Sequence, residues 1–156
     1  MSKDYDNMGP WSVQQEKFGK AFIKAIARWQ TKVYEFTNGR LWSTFLGAPC
    51  AILTTTGRKS GLTRKTPLLY LKDGDNVVMV ASQGGFSTLP MWYLNIIATP
   101  QVTVQIGAEV KTMSAREATD DEKELLWPKL DELYDGYKEY RARTRGVRDI
   151  PIIIFT

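Results

Sequence analysis

The sequence predicts a mainly β protein with helices (α+β), built as an antiparallel barrel or sheet, and three observations predict it. Six short runs rich in β-branched and apolar residues are joined mostly by hairpin turns. Helical periodicity stands at the ends of the chain and between hairpins, so the strand–helix alternation of a doubly wound sheet is missing. Neither G-x-G-x-x-G nor the Walker glycine–lysine pattern occurs, which argues against a standard dinucleotide or P-loop site.

Composition narrows the chemistry. A chain of 156 residues is expected to form one domain, 1–156, with room for a real core. No run reaches the ~18 uninterrupted apolar residues of a membrane span, and the polar start Met-Ser-Lys-Asp-Tyr-Asp-Asn does not read as a secretory signal. With one cysteine, Cys50, no internal disulfide forms, and a reducing cytoplasm is expected. Histidine is absent, which removes Ser-His-Asp triads, Cys-His pairs and the usual zinc sites; no metal is expected. A net charge of +4 favours an acidic ligand or an anionic surface without requiring nucleic acid. The basic residues are dispersed and no recognition motif appears, so no nucleic-acid partner is expected.

In chain order, Val13, Phe18, Phe22, Ile26, Trp29, Val33 and Phe36 recur near the helical period and predict an amphipathic helix over about 11–36. Lys17, Lys20, Lys24, Arg28 and Lys32 fill much of the remainder. Such a helix either lies on an anionic membrane or docks its apolar face on its own barrel or a second subunit. Thr37-Asn38-Gly39 stops it. Strands are expected at Ala51–Thr56, Thr66–Lys72 and Asn76–Ala81, the last two about Asp73-Gly74-Asp75. Pro67 implies an edge position or a bulge. A glycine-rich loop, Ser82–Pro90, leads to a short helix, Met91–Ala98. A second hairpin pairs Gln101–Ile106 with Glu109–Arg116. Thr119-Asp-Asp-Glu122 is a capping box opening a helix that Pro128 should kink. Tyr134-Asp135-Gly136 breaks it, a short helix Tyr137–Arg143 follows, and Ile150–Phe155 is a terminal strand. Arg141, Arg143, Arg145 and Arg148 read most simply as a solvated basic segment.

One stretch carries a candidate ligand site. Arg58, Lys59 and Ser60 sit between Gly57 and Gly61, with Arg64 and Lys65 directly after. Glycines allow a turn whose N–H groups face inward, and cations around it suit a phosphate or carboxylate. The plain alternative is a basic hairpin tip kept soluble by its charge.

The ordered motifs Thr54-Thr-Thr-Gly-Arg-Lys-Ser-Gly61, Arg64, Pro67, Ala81-Ser82 with Gly84-Gly85, and Pro90-Met-Trp-Tyr-Leu-Asn95 resemble the deazaflavin-dependent nitroreductase family. So do Ala115–Asp120, Trp127-Pro128, the tyrosines at 134, 137 and 140, and Ile150-Pro151-Ile152. The likeness runs from about Pro49 to Phe155; the first helix matches only in character. It implies a split β-barrel of the FMN-binding-like class that uses reduced coenzyme F420, an 8-hydroxy-5-deazaflavin. It also implies hydride transfer to an activated alkene, enone or quinone, with nitroaromatics reduced adventitiously. By that resemblance Arg58, Lys59, Ser60 and Arg64 would hold the coenzyme's phosphate and γ-glutamyl tail. Lys65, Thr66, Pro67, Leu68 and Leu69 would line the deazaflavin, Val80, Ala81, Ser82 and Gln83 would meet it from the next strand, and Met91, Trp92, Tyr93, Leu94 and Asn95 would close the far side. Ser82, Tyr134 and Tyr137 are the catalytic candidates, Tyr137 also touching the coenzyme; Leu69, Tyr134 and Tyr140 would border the substrate. Read without the family, Met91, Trp92 and Tyr93 are core packing, and the three tyrosines either line one wall of a pocket or form a surface row.

Two positions depart from the nitroreductase pattern: Leu69 stands for a tyrosine and Gln83 for a lysine. Nitroimidazole activation is therefore not carried over. Rival readings keep the barrel with FMN, or make the protein a non-catalytic deazaflavin or lipid binder. Partners are expected to be a small enone or quinone, with peripheral contact at the inner membrane face through the first helix; the chain is a monomer or homodimer.

Overall fold

The computed structural model describes residues 3–156; Met1 and Ser2 of the polar start lie outside the described residues. Helix α1 spans Val13–Phe36 and opens on a capping box: Ser12 Oγ accepts from Gln15 N–H, and Gln15 Oε1 accepts from Ser12 N–H. It stops at Thr37, followed by Asn38 and Gly39, both at positive φ.

The strands are β1 (Thr44–Phe45), β2 (Ala48–Thr56), β3 (Thr63–Leu69), β4 (Leu71–Asp73), β5 (Asn76–Val80), β6 (Gln101–Ile106), β7 (Glu109–Glu117) and β8 (Ile152–Phe155). All pairings are antiparallel, in the order β1-β2-β6-β7-β8-β5-β4, with β3 on β2. Only Tyr70 separates β3 from β4. The two are one strand that bends there, pairs with β2 through its first half and with β5 through its second, and so closes the sheet into a barrel. The expected strand Thr66–Lys72 thus starts sooner and is bent. Pro67 lies opposite Ile52 on β3, whose only sheet partner among the described residues is β2, the edge position its missing N–H calls for.

The runs Val77–Val80 and Ile152–Phe155 are apolar on both faces because both faces are covered. Val77, Met79, Ile153 and Phe155 point into the barrel, where they meet Leu53, Val104, Trp92 and Ile96. Val78, Val80, Ile152 and Ile154 point outward, under Leu126 and Leu130 of α3 (Asp120–Leu133) and Tyr137 of α4 (Gly136–Thr144). Burying each such side chain fully is worth roughly 1.5–3 kcal/mol. Helix α2 (Met91–Ala98) adds Trp92 and Ile96 to the interior cluster. Helix α3 begins on the expected capping box, Thr119 with Glu122, whose carboxylate also takes both guanidinium nitrogens of Arg116. As expected, Pro128 lies inside the helix, which ends at Leu133 with Tyr134 as its cap; Pro128 faces solvent, so its missing hydrogen bond falls on the wet side.

The first helix departs most from expectation. Its apolar face does not dock on the barrel. The residues α1 buries are Glu16, Gln30, Thr31 and Tyr34. Glu16 accepts from Ser87 N–H (2.7 Å) and Ser87 Oγ (2.8 Å), Gln30 donates to Cys50 Sγ (3.2 Å), and Tyr34 Oη accepts from Gly107 N–H (2.7 Å). Gly19 lies so close to Phe86 that a Cβ there would stand 2.6 Å from the ring. The surface beneath α1 offers hydroxyls, a thiol and turn amides, and the polar face is the one that can satisfy them.

Tyr34→Phe leaves the turn amide of Gly107 without an acceptor. Urea unfolding should show a loss of about 1–2 kcal/mol with an unchanged m-value; an unchanged midpoint would mean that the hydroxyl is not needed to hold the helix.

Candidate functional site

The turn Gly57–Leu62 joins β2 to β3 and is closed by Gly57 N–H to Leu62 O (2.8 Å) and Gly61 N–H to Gly57 O (2.7 Å). Ser60 Oγ accepts from Leu62 N–H, and Gly61 holds a positive φ. Gly57 has no room for a side chain: a Cβ would stand 2.7 Å from Ser60 Oγ. Asn95, buried on α2, ties the turn down. Its Oδ1 accepts from Arg58 N–H (3.1 Å) and its Nδ2 donates to Thr55 Oγ1 (3.1 Å). Arg58, Lys59 and Arg64 are exposed, and none has a carboxylate in salt-bridge range among the described residues. Lys65 differs, being paired with Glu35 of α1.

Beside α2 a groove of about 620 Å³ is lined by Lys20, Gln83, Ser87, Thr88, Leu89, Met91, Leu94 and Arg148. Its lower wall is the loop after β5. There Gln83, Gly84 and Gly85 all take positive φ, a single 3-10 turn at Gln83–Gly85. The loop is held from two sides. Arg148 Nε donates to Phe86 O (2.8 Å), Nη1 to Ala81 O (3.3 Å) and Asp149 O (2.9 Å), and Nη2 to Ser82 O (2.8 Å). From α1 and its approach, Trp11 Nε1 donates to Gly84 O (3.0 Å), Glu16 takes Ser87, and Lys20 Nζ donates to Thr88 Oγ1 (2.9 Å). With its amide oriented to suit its surroundings, Gln83 donates to Thr88 O and Leu89 O. Burial pushes the Arg148 pKa down while the nearby Glu16 carboxylate opposes the shift.

The structure sorts the residues singled out above into three places. Gln83, Met91 and Leu94 line the groove. Ala81 and Trp92 are in the barrel interior, with Leu68 and Tyr93 packed against it; Tyr93 also donates to Glu117 (2.9 Å), and burial with that carboxylate raises its pKa to about 12. Leu69, Val80, Tyr134, Tyr137 and Tyr140 belong to the outer cluster under α3 and α4. Tyr134 caps α3 and is not itself in a helix. Its hydroxyl lies 3.0 Å from that of Tyr140, and its ring meets Tyr137 edge-on. Burial pushes the Tyr137 and Tyr140 phenols well above the ordinary value. These tyrosines do not line the groove. Gly85 separates the two regions: a Cβ on it would stand 3.0 Å from Tyr140 Cα. Ser82 lies at the junction; the residue is buried, and its hydroxyl makes no hydrogen bond among the described residues.

Of the basic run near the C-terminus, Arg145 is exposed as expected, but its three neighbours are engaged. Arg141 forks onto Asp131 and stacks on Trp127 at 4.1 Å, Arg143 lies 3.5 Å over Trp11, and Arg148 grips the loop. Reading the sequence missed Arg148, Glu16 and Lys20 as parts of the site. Their partners are more than sixty residues away in the chain, and no local spacing marks them.

A family model described as F420H(2)-dependent quinone reductase matches residues 26–156. The chain belongs to this family. A quinone reductase so named from Mycobacterium tuberculosis is 35% identical over 135 residues, covering 84% of this chain and 89% of the relative. A solved F420-H2 dependent reductase, FDR-A, is 40% identical, covers 69% of this chain and 94% of its own, and superposes with a TM-score of 0.63. A second solved structure, described as a domain-swapped dimer, is 36% identical with a TM-score of 0.64 and covers 83% and 96%. The fold is therefore of the split-barrel class, and the quinone reductase family, close to the nitroreductases but distinct from them, is the one shown. The match begins inside α1, well before Pro49. Membership makes the chain an oxidoreductase with coenzyme F420 as its cofactor.

The donor set fits that group. Arg58 and Lys59 on a turn anchored to α2, with Arg64 at the start of β3, none with a carboxylate partner among the described residues, suit a phosphodiester with a carboxylate tail, and the groove beside α2 is largely apolar.

Glu16 gives the stability of the fold a pH dependence. Burial acts to raise its pKa, but the two bonds from Ser87 and the nearby Lys20 outweigh burial and hold it below the ordinary 4.5. A depressed folded-state pKa stabilises the protein above the unfolded value, and that contribution is lost as pH falls through the folded one. Thermal stability should therefore drop below about pH 4.5, and Glu16→Gln should flatten that part of the profile. Identical profiles for the two proteins would show that the Glu16–Ser87 contact does not stabilise the fold.

Proposed function

We propose that the groove and its cationic turn are where this quinone reductase binds reduced F420 and its acceptor. The arrangement that carries the reading is the hydrogen bond from Arg58 N–H to Asn95, which couples the cations to the helix lining the groove. Reduced F420, when bound, supplies a hydride. Arg58, Lys59, Ser60 and Arg64 would hold its charged tail. Thr66, Pro67, Leu68 and Leu69 would flank the ring along β3, Val80, Ala81, Ser82 and Gln83 along β5 and its loop, and Met91, Trp92, Tyr93 and Leu94 from α2. Ala81 and Trp92 act through packing and backbone, and Asn95 acts by positioning the turn. Lys65, engaged with Glu35, links the same strand to α1.

The acceptor is a quinone or another enone, with nitroaromatics as adventitious substrates. Negative charge grows on its carbonyl oxygen as hydride arrives, and a donor aimed there stabilises it. The Ser82 hydroxyl, lacking an internal partner, is the first candidate; Tyr137 and Tyr134 are the next, reached from the outer cluster past Gly85. Leu69 and Tyr140 would border the acceptor there.

Lys59→Ala should bind oxidised F420 roughly fivefold to tenfold more weakly, about 1 kcal/mol for an exposed charge-assisted contact. Its melting temperature should not change. Unaltered affinity in a fluorescence titration, or oxidation of the reduced coenzyme that no quinone accelerates, would sink this assignment.

We also propose peripheral contact with an anionic lipid surface at the cytoplasmic face. Phe18, Phe22, Trp29 and Phe36 of α1 are 77%, 57%, 70% and 91% exposed. Lys17, Lys24, Arg28 and Lys32 flank them, exposed and outside every ion pair among the described residues. No described helix is long and apolar enough to cross a membrane. Sedimentation with phosphatidylglycerol vesicles should carry the protein down, and phosphatidylcholine vesicles should not. Trp29→Glu should abolish the binding, and equal binding by the variant would refute the contact.

A further inference from the structure

The loop between the groove and the tyrosine cluster carries a further feature in its backbone. The Ala81 and Ser82 carbonyls both point at the Arg148 guanidinium. A trans peptide is planar, so each carbonyl turned one way turns the following N–H the other. The amides of Ser82 and Gln83 therefore face away from Arg148. Neither has an acceptor among the described residues, in contrast to Ala81 N–H, which donates to Pro151 O, and Gly85 N–H, which donates to Ser82 O. Ser82 is right-handed (φ −80°, ψ −35°) and Gln83 left-handed (φ 45°). That succession brings consecutive N–H groups together into an anion-binding concavity. A left-handed glutamine is disfavoured by roughly 1–2 kcal/mol, and a loop that adopts it needs something to hold it there.

Resting on the reading of this loop as part of the active site, we propose that Arg148 is a positioning residue. It holds the Ser82 and Gln83 amides as a paired donor for the negatively charged oxygen of the reduced acceptor. Hydride forms a C–H bond on the enone or quinone, the displaced π electrons collect on the carbonyl oxygen, and the donor is left two electrons more oxidised. Two backbone N–H groups and the Ser82 hydroxyl can then meet that oxygen before water protonates it. Arg148 polarises both peptides from behind, because a cation on a carbonyl strengthens that peptide's own N–H as a donor. Arginine is needed for geometry as much as for charge. Its planar fork reaches Phe86, Ala81, Ser82 and Asp149 carbonyls together, which a lysine ammonium cannot do.

The test is an amide-resolved NMR titration of the F420-loaded protein with pentafluorophenolate, whose charged oxygen imitates the reduced acceptor. The Ser82 and Gln83 amide protons should move downfield and saturate. Ser82→Ala should keep those shifts, and Arg148→Lys should lose them and bind the phenolate about tenfold more weakly. The same samples are assayed for menadione reduction by reduced F420, where Arg148→Lys should lower kcat more than it raises the coenzyme KM. Absence of a saturating shift at the two amides in the wild-type protein overturns the proposal without relying on any variant. Turnover that survives such a result leaves the active-site reading standing, whereas failure to bind F420 or reduce menadione removes that reading itself. An Arg148→Lys protein with wild-type shifts also overturns the positioning role.

Discussion

The bend at Tyr70 is the constraint on which the rest depends. One continuous stretch, Thr63–Asp73, pairs with β2 before the bend and with β5 after it, and this double pairing turns an open sheet into a barrel. It also decides where the cations go. Because β3 must run back along β2, the Gly57–Leu62 turn is placed at the end of the barrel next to α2, and Asn95 reaches it. A barrel closed elsewhere would leave the same arginines and lysines on an unsupported hairpin.

Closure gives the barrel two apolar surfaces of different use. The inner one is packed with Leu53, Met79, Trp92 and Phe155. The outer one, on β5 and β8, is covered by α3 and α4 and brings three tyrosines against Leu69 and Val80. The loop at Ser82–Ser87 runs between that outer cluster and the groove. It is held by side chains from both ends of the chain, Glu16 and Trp11 on one side and Arg148 on the other. Charge-assisted bonds to backbone carbonyls and amides offset the strain of three successive left-handed residues.

Helix α1 follows a different rule from α3 and α4. It is attached through polar contacts and leaves its aromatic stripe in water. Hydrogen bonds of this kind contribute about 0.5–1.5 kcal/mol each in net terms, far less per residue than buried leucines or phenylalanines. The helix also contributes Lys20, which lines the groove and donates to Thr88.

Much of this was legible in the residues. Val77–Val80 and Ile152–Phe155 announce strands, Thr119 with Glu122 announces a helix start, and Asp73-Gly74-Asp75 a hairpin, because each depends on backbone preferences and side-chain spacing within a few residues. The ordered motifs from Thr54 to Asn95, through their resemblance to the deazaflavin-dependent family, likewise implied the cofactor class and the split barrel. Tertiary structure alone decided which face of α1 is buried, since periodicity finds an apolar stripe but not what lies opposite it. It alone showed Asn95 tied to Arg58 and Arg148 gripping the Ser82 loop. Those partners are 37 and 66 residues apart, and such contacts exist only once closure of the barrel has brought distant segments within hydrogen-bonding reach.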